Sequence, residues 1–189
     1  IDYRQWTEWV QMSHGPAERK LERVVSDYLE GAQARYKKRI REYVRSEKNG
    51  PDYIAKGVIS WPDLLALGEE VARLTSDLGR DWLGVWTISG NCELENVYRR
   101  AKKERPLDLV FGERAIAESA IDLSAFEIAS TTAKEVQKLI ERGLLSGLSV
   151  RDIAKSIDKD SRFGRKRAQM IARTEATKAI NLATSQSYQ

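Results

Sequence analysis

Few residues in this chain could do covalent chemistry. One histidine, His14, and one cysteine, Cys92, would have to serve any Ser/His/Asp or Cys/His site, and neither stands in a nucleophile context. No G-x-S-x-G turn and no P-loop spacing occurs, so hydrolase and nucleotide-binding chemistry have no carrier. A single cysteine excludes an internal disulfide, and beside one histidine it leaves no set of soft ligands for a structural zinc. No metal or other cofactor is expected. Paired carboxylates such as Glu69 and Glu70 read as a solvated helix face. An ADP-ribosylating site would need an arginine, then an S-T-S-like strand, then E-x-E. Here Glu93 and Glu95 precede Ser130, Thr131 and Thr132, and both stretches lie in expected helix. The chain is therefore not expected to be an enzyme.

Non-covalent chemistry has more carriers. Lysine and arginine total 32 against 28 acidic residues, a net charge of +4 that is mild for a nucleic-acid binder, so placement matters more than the sum. Arg35, Lys37, Lys38, Arg39, Arg41 and Arg45 form one basic cluster. Arg99, Arg100, Lys102, Lys103 and Arg105 form a second, and Arg162, Arg165, Lys166 and Arg167 a third. If the first and third face duplex DNA, then Arg35, Lys37, Lys38, Arg39, Arg41, Arg162, Arg165 and Lys166 would hold phosphates without reading bases. The alternative is that they are solvated helix faces.

The elements that position these groups are helices. With 189 residues, 41% hydrophobic and 32% charged, the chain has enough apolar content to bury a core, which rules out disorder as the default. Leu21, Val24, Val25, Tyr28, Leu29, Ala32, Tyr36, Ile40 and Val44 recur at steps of three and four and predict a helix from Pro16 to about Arg45. Asn49, Gly50 and Pro51 break it. A second helix is expected from Ser60, with Pro62 in its first turn and a stripe of Leu64, Leu67, Val71, Leu74, Leu78, Trp82, Val85 and Trp86, ending near Ser89, Gly90 and Asn91. A short charged helix over 93–104 should stop at Pro106. Residues 106–124 read as a connection with a short helix around Arg114 to Ser119. Ser124 and Glu127 have capping-box spacing and predict the start of a third long helix, through Phe126, Ile128, Val136, Leu139, Ile140 and Leu144 to about Gly147. Ser149 and Asp152 repeat the arrangement before a short helix through Ile157, and a polar loop leads to a final helix. No strand-like alternation of useful length appears.

On that final helix Ala168, Ile171, Ala172, Ala179 and Leu182 share one face, with Glu175 in its middle. A carboxylate aimed at a core must be paired, so a cation or N–H donors from another helix are expected to meet it. Arg173 points elsewhere, beside Met170, Thr177 and Ile180. On this reading Glu175→Ala should cost about 3 kcal/mol and Lys178→Ala, on the exposed face, under about 0.5 kcal/mol.

The run from Gly143 to Tyr188 combines a G-L-x-x-G-L-S opening, a short R-D-I-A helix and an R-A-x-x-I-A-R-T-E core, with Asn181 and Ala183 following. It closely resembles the head morphogenesis domain of phage Mu F-like minor head proteins. The resemblance covers the last 45 to 60 residues and assigns its signature to Arg167, Ala168, Ile171, Ala172, Arg173, Thr174, Glu175 and Asn181, which the wheel reads mostly as scaffold. The helical periodicity predicts a mainly α fold, an elongated assembly of long amphipathic helices, with residues 1–105 read as an N-terminal helical, partner-binding region and 106–189 as the helical head morphogenesis domain that the resemblance implies. The resemblance also implies a structural protein at the portal vertex inside the capsid, in the host cytoplasm during assembly, assisting head assembly and DNA packaging or delivery. The implied partners are the portal protein, the major capsid or scaffolding protein, and non-specific phage DNA.

The first hundred residues, with Trp6, Trp9, Trp61, Trp82 and Trp86, have no family pattern. A helix-turn-helix regulator is the alternative, since Ser149 to Ile157 and Gly164 to Ala176 form two helices with basic residues between them, although the joining loop is longer than that motif uses. No run is long and apolar enough to cross a membrane, and IDYRQWTEWV lacks a signal-peptide pattern, so a soluble protein is expected. A chain beginning at Ile1 is expected to be a fragment or a processed product.

Overall fold

The computed structural model describes residues 3–45, 60–104 and 112–188. The expected breaks at Asn49 to Pro51 and at Pro106 lie outside the described residues. Among those described there are six α-helices and no strand: α1 (Tyr3–Arg45), α2 (Trp61–Leu65), α3 (Leu67–Arg100), α4 (Arg114–Leu145), α5 (Val150–Asp158) and α6 (Arg165–Ser187). A 3-10 turn, Ser161–Phe163, leads into α6. The expected helical class stands. With 43 residues, α1 is about 64 Å long at 1.5 Å per residue.

The stripe on α1 buries as its spacing demands, with Leu21, Val25, Leu29, Ala32 and Tyr36 almost fully out of solvent. Its helix, however, starts at Tyr3 rather than Pro16. Proline inside a helix removes one N–H, a loss of one bond that so long a helix absorbs. The second expected helix is divided at Ala66, whose left-handed backbone (φ 43°) ends α2 and starts α3. From Leu67, α3 then runs unbroken to Arg100, joining the two helices expected on either side of Ser89 to Asn91. Ser89 and Gly90 did not stop it because both are buried, and the Ser187 hydroxyl of α6 donates to the Gly90 carbonyl at 3.4 Å.

The segment before Ser124, expected to be mostly a connection, is helix from Arg114. Ala117, Ile121, Ala125 and Ile128 carry the buried stripe back through it, and Ser124 lies buried inside α4 rather than at its cap. Phe126, placed on the stripe by its spacing, is 51% exposed. At the other end the expectation was sound: the Ser149 hydroxyl accepts the Asp152 N–H at 3.2 Å and donates to the Asp152 carboxylate at 2.6 Å.

Helix α6 packs against both α1 and α3, α4 packs on α3, and α5 bridges α1 and α4. One continuous apolar core results, drawing on residues from Ala17 to Ala183. The contact face of α6 is almost entirely alanine, Ala168, Ala172, Ala176, Ala179 and Ala183, which lets its neighbours approach closely. Ile180, expected to point away from this face, is also buried. The seat of α5 depends on Gly143, because a Cβ there would lie 2.5 Å from Ile153 Cγ1. Gly143→Ala should force α4 and α5 apart and cost about 1.5 kcal/mol. An unchanged denaturant melt would show that α5 is not held there.

Candidate functional site

The signature residues of α6 do two kinds of work. Ala168 and Ala172 are buried contacts, Ile171 is half-buried, and Thr174 and Asn181 face solvent, with the Thr174 hydroxyl returned to the Met170 carbonyl at 3.0 Å. Arg173 is exposed and lies 3.7 Å from Glu18 of α1. The other two, Arg167 and Glu175, are polar groups carried into the interior.

Arg167 donates to the Thr132 hydroxyl of α4 at 2.9 Å and to the Arg162 carbonyl at 3.0 Å. Burial pushes its pKa below the usual arginine value, with nearby Glu135 acting the other way. Thr132 is itself fully buried and donates to the Ile128 carbonyl at 2.7 Å. Beside it, Arg162 is clamped by Asp160 and Glu135; its Nε donates to Asp160 at 2.7 Å. The Arg162 hydrogen bonds hold the Asp160 carboxyl below its ordinary range. Together these groups tie α4, the 3-10 turn and the start of α6 into one polar lock.

Glu175 is 2% exposed, as its place on the wheel requires. Its partner corrects the expectation: the cation comes from the same helix, one turn on. Lys178 Nζ lies 3.0 Å from Glu175 Oε1 and 2.9 Å from Glu127 of α4, so the residue taken for an exposed control is the bridge between the helices. A lysine at i+3 whose long stem bends along the helix can reach what its own wheel position does not suggest. The second Glu175 oxygen accepts no hydrogen bond among the described residues.

A further buried carboxylate was missed. Glu70, read as solvated, is 0% exposed, and only Glu69 lies at the surface. Arg35 grips Glu70 with two bonds, Nε to Oε1 at 2.9 Å and Nη2 to Oε2 at 2.6 Å, and Arg39 adds a third at 2.9 Å while also binding Glu69. The hydrogen bonds to Glu70 raise the Arg35 pKa. Each guanidinium also lies over a tyrosine ring of α1, Arg35 at 5.8 Å from Tyr28 and Arg39 at 5.7 Å from Tyr36. A signal was available: Glu70, Leu74, Leu78 and Trp82 step by four along one face, the same logic that found Glu175.

This accounts for much of the first and third basic clusters. Lys37 pairs with Asp158 at the end of α5, where Gln33 also donates to the Ile157 carbonyl at 2.8 Å. Arg165 binds Glu22 at 2.9 Å, and Lys38 lies 3.7 Å from Glu42. Arg41 and Lys166 are exposed. These cations are thus dispersed over several helix junctions rather than gathered on one face. The cleft of about 780 Å³ between α3 and α4 is lined by Leu83, Trp86 and Ile121 with Arg80, Glu118 and Asp122, and no cysteine, histidine or serine lines it. Among the described residues no His, Cys, Asp and Glu side chains are grouped to hold a metal ion, and no helix is long and apolar enough to cross a membrane.

Glu175 and the polar lock apart from Thr132 fall in the stretch for which similarity is found. Residues 134–189 match the family model of phage Mu protein F like protein. No curated protein and no solved structure is significantly similar to the chain. The C-terminal part of the chain is thus similar to phage Mu protein F like proteins. It begins inside α4 and includes α5 and α6. Arg167 and Glu175 are therefore positions where the Mu F-like segment is fastened to α4, through Thr132 and, by way of Lys178, Glu127.

Proposed function

We propose that this protein is a structural minor head protein of a tailed phage or prophage, bound at the portal vertex inside the capsid and assisting head assembly and DNA packaging or delivery. The observation that supports the reading is the Mu F-like match over 134–189, whose motif residues serve as helix contacts and polar locks. In this reading residues 106–189 form the head morphogenesis unit and 1–105 supply partner-binding helices. The portal protein is the first partner, with the major capsid or scaffolding protein beside it. Assembly takes place in the host cytoplasm. A helix-turn-helix regulator fits less well, because α6 is held between α1 and α3 instead of being presented to a groove. Co-sedimentation of the purified chain with the portal protein of the same phage tests the reading; no association at low salt would overturn it.

Contact with packaged DNA is a separate part of the proposal, and the ion pairs bound its size. Arg35, Lys37, Arg39, Arg162 and Arg165 already hold carboxylates, which leaves Arg41, Lys166 and the weakly engaged Lys38 for phosphate. About three phosphates neutralised corresponds to a slope of roughly −2.7 for log affinity against log salt, with no preference between random and genomic duplex. Titrations at several salt concentrations measure this. A thousandfold site preference would favour the regulator, and no binding at low salt would remove the DNA contact while leaving the assembly role.

A further inference from the structure

Among the described residues, two other than glycine have a left-handed backbone: Lys102, just past the end of α3, and Ala66 (φ 43°, ψ 50°). Ala66 differs in having helix on both sides. A permanent helix stop is usually glycine or asparagine, as Gly147 is where α4 ends, because a Cβ is strained in that conformation. Alanine is instead the best helix former, and the apolar stripe runs straight through the break, with Leu64, Leu67, Val71 and Leu74 at steps of three and four. The local sequence thus favours one helix where the fold has two. The bend also leaves bonds unmade. Helix α3 starts with no side-chain cap, and the Leu67 and Gly68 N–H groups have no partner among the described residues. In a continuous helix they would reach the Asp63 and Leu64 carbonyls. What holds the bend comes from α1 and the core. The Ser60 N–H donates to the Tyr43 hydroxyl at 2.9 Å, Arg39 Nη1 donates to the Leu65 carbonyl at 3.2 Å, and Leu64 and Leu65 are buried.

We infer that Ala66 is the joint of a two-state strap, in which α2 lifts from α1 and fuses with α3 into one helix over residues 61–100. Fusion lengthens α3 by six residues, about 9 Å. On the extended wheel Leu64 stays in line with Leu67 and Val71, whereas Leu65 turns to the exposed face of Gly68, Glu69 and Ala72. Lifting therefore presents Leu65 and uncovers the ground that α2 occupies on α1. The strap is coupled to the buried clamp, since the Arg39 Nη1 that holds the Leu65 carbonyl also holds Glu70 Oε1 at 2.9 Å. In the fused helix the Leu65 carbonyl goes to the Glu69 N–H, which in the bend bonds the Ala66 carbonyl at 3.0 Å, so Arg39 must release it. A ligand that binds the uncovered ground shifts the equilibrium towards the fused form, and one that rests on α2 shifts it back. The strap needs no phage partner and stands apart from the assembly reading.

The test is nuclear magnetic resonance on the full chain. Relaxation dispersion at Ala66, Leu67 and Gly68 should show exchange on the microsecond-to-millisecond scale, with the minor-state Cα and Cβ shifts of Ala66 at right-handed helical values. Ala66→Gly relieves the left-handed strain and weakens a continuous helix, so it should cut the minor population roughly tenfold or more. Ala66→Val strains the bend further and should raise that population. Thermal melts check that both variants fold. A flat profile at all three residues of the parent overturns the strap, as does exchange that Ala66→Gly leaves unchanged. A minor state with coil-like shifts assigns the motion to fraying of α2 and overturns the fusion.

Discussion

Replacing both Arg35 and Arg39 by methionine should cost about 4 kcal/mol of stability, the largest effect of any surface-reaching side chains in the protein. Glu70 has no access to water, and its three charge-assisted hydrogen bonds all come from these two arginines. Without them a carboxylate is left in an apolar seam between α1 and α3 with nothing to replace the lost hydration. The reverse change should be milder. Glu70→Met removes the buried charge itself, and the arginines, 27% and 17% exposed, can turn towards solvent, so a cost of about 1 kcal/mol is expected. Urea melts of the two variants measure the asymmetry. Equal losses would mean that the clamp is held by packing of the arginine stems and not by the carboxylate.

At Glu175 the structure inverts the order expected from the helical wheel. Lys178→Met should cost about 2.5 kcal/mol, because it leaves the Glu175 carboxylate buried and unpaired; the figure is lower than for a fully enclosed pair because Lys178 is 42% exposed and water screens part of the interaction. Glu175→Met should be neutral to within about 1 kcal/mol, since it fills the site with apolar volume and leaves Lys178 its bond to Glu127. A double-mutant cycle between the two positions would report the coupling directly. A large loss for Glu175→Met beside an intact Lys178→Met would show that the wheel was right and the bridge is idle.

How much of this could be read from the chain differs by kind of feature. Apolar periodicity located the buried stripes of α1, of α3 up to Trp86 and of α4 from Ile128 on, because burial on a helix is set by residues three and four apart, but it missed the alanine-rich stretch through Ala117 and Ile121, where small residues make the stripe faint. Helix ends were less legible where the usual breakers are tolerated by tertiary contacts. Gly90 sits buried within α3, and the Ser124 to Glu127 spacing falls in mid-helix. Ion-pair partners were the least legible of all. That Arg35 answers Glu70, Arg165 answers Glu22 and Lys178 answers Glu127 depends on how helices far apart in sequence lie against one another, and no spacing within one helix encodes it. The Glu175 wheel argument succeeded on burial and failed on partner for a different reason: Lys178, three residues on, bends its long stem along the helix, which a wheel of side-chain directions does not show.

The alanine face of α6 also bears on the order in which the molecule can form. That helix is synthesised last among the described elements, yet it fills the space between α1, which is made first, and α3. Glu22 and Arg165, one contact across this seam, are 143 positions apart. Contacts of such sequence separation pay the entropy of closing a long loop before they return any stabilisation, so they form late. Until α6 clears the ribosome, α1 and α3 can pair only partially, and the apolar strips centred on Leu29 and Trp82 lack their third side. A chain that stops short of this 23-residue helix is therefore expected to leave those strips open to solvent and to association with other chains.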